Sequence, residues 1–194
     1  MPLPSDVQAA LHVEEFRALR ATIRERGTLR IALAGLGLAG WAAGHLAVLM
    51  WLPTPGTMLV PLLVLAALFE AVYALHIGVE RIGRYLEAVY ESGQDGPRWE
   101  RTANEFGRTM TDSTGKLDAL FSTVFCAAAV LNLIPVVWRI AAAGRWTTVL
   151  TAEIVVSGGL HLAFIIRVFR ARAFAARQRR LELELFERLA AGDS

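Results

Sequence analysis

Four apolar stretches, roughly 31–52, 57–79, 118–142 and 147–168, constrain this chain more than any other feature. Each approaches the ~20 residues that a helix needs to cross a ~30 Å hydrocarbon layer. Lipid offers no water to bond the backbone, so only a helix satisfies the amides of a stretch this long. The expected fold is therefore all-α: an integral membrane four-helix bundle. Pro53-Thr54-Pro55-Gly56 and Ala143-Gly144-Arg145-Trp146 are short connections that fold the spans into two antiparallel hairpins.

The basic residues set the expected orientation. Of the twenty Lys and Arg, all but Arg139 and Arg145 fall in the N-terminal segment, the central loop or the C-terminal tail. By the positive-inside rule those three segments are cytoplasmic, which makes a multi-pass inner-membrane protein with both termini inside. Acidic residues are interleaved with the arginines, which argues against nucleic acid as a partner. Charged residues before Ile31 distinguish the first stretch from a cleavable secretory signal, so the chain is read as mature. Cys126 is the only cysteine and is read as a small apolar filler.

Four divisions follow. Residues 1–30 form a cytoplasmic amphipathic helix, with Leu11, Phe16, Leu19 and Ile23 opposite Arg17, Arg20 and Arg24; it lies on the membrane surface or against another cytoplasmic helix. Residues 31–92 are the first hairpin, whose second span continues past the membrane to about Ser92. Residues 93–116 are a loop with a short interfacial helix from Pro97 to about Met110, carrying Trp99 and Phe106. Residues 117–194 are the second hairpin, whose last span runs on through Leu181, Leu185 and Leu189. In the first span Gly37, Gly40 and Gly44 form a small-residue stripe, expected to make an internal helix contact.

Ionisable groups inside a span each cost about 2.5–3.5 kcal/mol at its centre, so they need partners or a purpose. Counting ~1.5 Å per residue from each outer end puts Glu70 about 18 Å deep and His161 about 21 Å deep, an inner pair. Glu153, at about 9 Å, is level with His45 and a little shallower than Asn132, an outer layer. At the inner interface His76, Glu80, Arg81 and Arg84 are expected to form ion pairs spaced four apart, between Gly78 and Gly83.

Three functions are compatible with these groups, beside a purely structural role in which they bond one another and fix helix register. The first is an oligomeric channel or carrier for ions, protons or a small polar solute, using Glu70, His161, Glu153, His45 and Asn132. The second is a non-catalytic scaffold or accessory subunit that binds a copy of itself or another membrane protein through its cytoplasmic helices. The third is a b-type haem module ligated by His76 and His161, with Arg81, Arg84, Arg167 and Arg170 near the propionates. There is no HExxH, phosphate loop, nucleophile elbow or metal-ligand cluster, which points away from an enzyme.

Overall fold

The structure, a computed structural model, describes residues 4–52, 54–91, 98–109, 114–144 and 146–192. It contains α1 (Ser5–Trp51), α2 (Leu59–Tyr90), α3 (Trp99–Thr109), α4 (Thr114–Ala142) and α5 (Thr148–Ala191), with no strand among the described residues. Helices α1, α2 and α5, together with α4 from Phe121 onward, are long and apolar enough to cross a membrane. The chain is a helical membrane protein.

Two helices continue where a break could fall. The N-terminal amphipathic segment and the first apolar stretch are parts of one helix, α1, which runs unbroken past residue 30. Nothing there stops a helix: no proline intervenes, and the Thr28 hydroxyl donates to the Arg24 carbonyl at 3.0 Å instead of competing with the ladder. Pro135 also sits inside α4 without ending it. The break after α2 falls as the sequence suggests, with α2 ending at Tyr90 and α3 beginning at Trp99. Pro97 and Met110, the expected ends of that short helix, lie outside the described residues, as does the side chain of Phe106.

The chain divides into two compact units. One comprises residues 32–73 and 115–174, which hold most of the apolar stretches. Its core is Phe69 of α2, packed edge-on against Phe125 of α4 and Phe164 of α5, with ring centroids 5.2 and 5.8 Å apart. Leu65, Ala128, Ala129 and Val168 fill the space around them, and the alanines let α4 approach closely. Gly37 packs directly on the Leu68 side chain. At Gly40 and Gly44 a Cβ would meet nothing within 4 Å, so of the three glycines only Gly37 shows a close side-chain approach.

The other unit comprises residues 1–31, 74–114 and 175–194 and is held by charge. Arg84, only 5% exposed, donates from Nε and pairs through Nη2 with Glu182 Oε2 at 3.0 and 2.7 Å. Arg81 binds the other oxygen of Glu182 at 3.0 Å. Glu80 bridges Arg84 at 3.4 Å and Arg179 at 3.1 Å. Buried Glu91 accepts the backbone N–H groups of Glu100 and Arg101 at 2.9 and 2.8 Å and so caps α3, while Arg20 pairs with Glu100 at 2.6 Å. Glu15 accepts from the hydroxyls of Tyr90 and Tyr85 at 2.7 and 2.9 Å.

Candidate functional site

The most buried polar side chains of the apolar unit converge on Asn132 of α4. Asn132, His161 and Ser157 are fully enclosed, and His45 is 9% exposed. The amide nitrogen of Asn132 donates to the Met58 carbonyl at 2.8 Å, and a carbonyl can only accept. That contact fixes which end of the amide is which. The remaining N–H of Nδ2 meets His161 Nε2 at 2.9 Å, so Nε2 is an acceptor. His161 Nδ1 then carries the proton and donates it to the Ser157 carbonyl at 2.7 Å. On the opposite side Asn132 Oδ1 accepts from His45 Nδ1, also at 2.8 Å.

These assignments follow from the Met58 and Ser157 carbonyls, which fix the Asn132 amide and leave His161 protonated at Nδ1 and accepting at Nε2. A proton on His161 Nε2 would set N–H against N–H. Trp41, one turn before His45, stacks on its ring at 5.5 Å and 15° and closes that end. One amide thus joins α1, α4 and α5, and through Met58 the turn that leads into α2. That turn is bonded from within: Thr57 N–H donates to Thr54 Oγ1, Thr54 N–H donates to Thr57 Oγ1, and the Thr57 hydroxyl donates to the Leu52 and Thr54 carbonyls.

The structure brings together His45, Asn132 and His161, and it separates Glu70 from them. Glu70 is half exposed and accepts from Arg167 Nη2 at 2.8 Å; the expected inner pair of Glu70 with His161 is not formed. The reason is register. Depths counted from the first residue of each helix assume that α2 and α5 start level. Their contacts, Glu70 with Arg167 and Tyr73 hydroxyl with the Ala171 carbonyl at 3.1 Å, instead set α5 further out. His161 consequently lies beside Met58, at the start of α2. Glu153, one turn before Ser157, has its carboxylate near Gly56, 3.5 Å from where a Cβ would stand.

Among the interface groups, Glu80 pairs with Arg84 as the spacing predicts. His76 Nδ1 accepts from Arg30 Nη1 at 2.8 Å, because a guanidinium only donates. Of the two expected haem ligands, His161 has both nitrogens engaged, by Asn132 and by the Ser157 carbonyl. No group of three or more metal-ligating side chains occurs among the described residues.

Sequence reasoning did not reach the two carbonyl partners, Met58 and Ser157, nor the role of Trp41. The Trp41–His45 spacing of four was the available signal for the stack. Glu91 and Glu182, which organise the charged unit, gave none, since each sits among other charges. Comparison with protein-family models, with curated proteins and with solved structures finds no match for this chain.

Proposed function

We propose that this protein is a non-catalytic membrane scaffold, a bundle of two antiparallel hairpins with both termini and the extended ends of α2 and α5 on the cytoplasmic side. The distribution of arginine supports the orientation. Contacts within each unit support the first hairpin and a parallel course of α2 and α5. Partners in α2 fall in number as those in α1 rise, from Tyr90 against Glu15 to His76 against Arg30. Partners in α5 rise with those in α2, from Arg167 against Glu70 to Ala171 against Tyr73.

The observation that carries the functional reading is the saturated bonding of Asn132. A conduction path needs groups that exchange partners as the ion or proton passes. Here the central group is an amide, which neither gains nor loses a proton near neutral pH, and both of its ends are committed within the fold. Such a node fixes helix register and leaves the outer surface to do the binding. Proton and potassium flux in liposomes tests this. The scaffold reading expects flux equal to that of empty vesicles, for the wild type and for Glu70→Gln alike. Flux above that background, abolished by Glu70→Gln or Glu153→Gln, would overturn it.

A further inference from the structure

Among the described residues, the one ion pair inside the apolar unit faces outward. Glu70 and Arg167 have side chains 50% and 42% exposed, although both belong to membrane-crossing helices. Glu70 lies about 16 Å along α2 from Leu59, well within its apolar stretch. The guanidinium is held in place from behind by the Phe69 and Tyr73 rings, with centroids 5.8 and 5.3 Å away. The pair uses Nη2 of Arg167 and Oε2 of Glu70. No other hydrogen bond or ion pair to either side chain is present among the described residues, so further donors and an acceptor point outward together. Around them the surface is apolar and low: Leu63, Ala67 and Ala71 on α2, and Ala163 and Ile166 on α5, all exposed.

We infer that this face binds a second copy of the chain. A surface presenting one acid and one base side by side is its own electrostatic complement. A two-fold axis along the membrane normal sets Glu70 of each copy against Arg167 of the other at a single depth. Lipid tails cannot solvate the exposed halves of the pair, and an anionic headgroup would be repelled by Glu70. The flanking alanines let two backbones approach as small residues do in other membrane interfaces. The result is a four-charge ring in which each guanidinium meets two carboxylates. The inference deepens the scaffold reading by naming its partner, and the two fail separately, since flux tests the node and energy transfer tests the face.

The test is a charge exchange between copies, read as energy transfer between C-terminal fluorescent fusions in phosphatidylethanolamine–phosphatidylglycerol vesicles. Glu70→Arg alone and Arg167→Glu alone should each weaken self-association by roughly tenfold or more, since each places like charges across the axis. Mixing the two variants should restore transfer, because each copy then supplies what the other lacks. The double variant Glu70→Arg/Arg167→Glu should behave as the wild type. Helicity measured on every sample separates lost association from lost folding. Absent transfer for the wild type, or single variants that associate normally, overturns the inference. So does recovery in the double variant without recovery in the mixture, which would confine the pair to one chain.

Discussion

Replacing Asn132 by leucine keeps the branched shape of the side chain, at a larger volume, and removes the node. Three hydrogen bonds disappear at once: from His45 Nδ1, to His161 Nε2 and to the Met58 carbonyl. Hydrogen bonds between helices in a membrane average ~0.6 kcal/mol, and the strongest approach ~1.7 kcal/mol. Because the three share one enclosed residue, and water does not reach it, values toward the upper end apply. The expected destabilisation is about 2–4 kcal/mol. Reversible unfolding in mixed micelles, followed by helical circular dichroism, measures it. A double-mutant cycle with His161→Leu is the sharper assay, since two groups joined by a real bond should couple by at least ~0.5 kcal/mol. An Asn132→Leu protein within about 0.5 kcal/mol of wild type, or strict additivity with His161→Leu, would refute the reasoning.

Four further outcomes follow from individual contacts. Gly37→Ala should cost about 1–3 kcal/mol by forcing the Leu68 side chain aside, whereas Gly40→Ala, with open space at its Cβ, should change unfolding by less than about 0.5 kcal/mol. Glu91→Ala should free the first amides of α3, raising their hydrogen-exchange rates about tenfold, in keeping with the ~1 kcal/mol of a lost cap. Arg84→Met should destabilise the charged unit by about 2–4 kcal/mol, because Glu182 and Glu80 lose their enclosed partner; chemical denaturation checks this. The hydroxyls of Tyr90 and, next, Tyr85 hold the Glu15 carboxyl below the usual range, at a place outside the apolar stretches. A depressed carboxyl stabilises above its unfolded value and loses that contribution as pH falls, so tyrosine fluorescence should report loosening of this contact below about pH 4.

The apolar stretches were legible because lipid imposes length and composition on any helix that crosses it, and all four appear as helices. The break between α2 and α3 was legible because Gly93 and Asp95-Gly96-Pro97 offer no continuing helix. The pairing of the polar groups was not. Depth along one helix follows from counting, but the sliding of α5 against α2 is set by which side chains interlock. Phe69 against Phe164 and Tyr73 against Ala171 decide that, and neither contact leaves a trace in spacing. Hence His161 was assigned to Glu70, while its partner Asn132 was placed in the other layer. The continuity of α1 was not legible for the opposite reason. A change from charged to apolar composition near residue 30 marks where a helix changes surroundings, and it says nothing about whether the helix ends.

A single asparagine at the meeting point of α1, α4, α5 and the turn into α2 changes how the rest of the bundle can evolve. With register secured by one neutral node, the apolar contacts around it need only fill volume, which is why alanines suffice at 128 and 129. Charges are then free to serve elsewhere, and ion pairs among the described residues are found in two places. In the unit of residues 1–31, 74–114 and 175–194 they clamp helices to one another through Glu182, Glu80 and Glu91. In the apolar unit, Glu70 and Arg167 alone form an ion pair among the described residues, and it is turned outward.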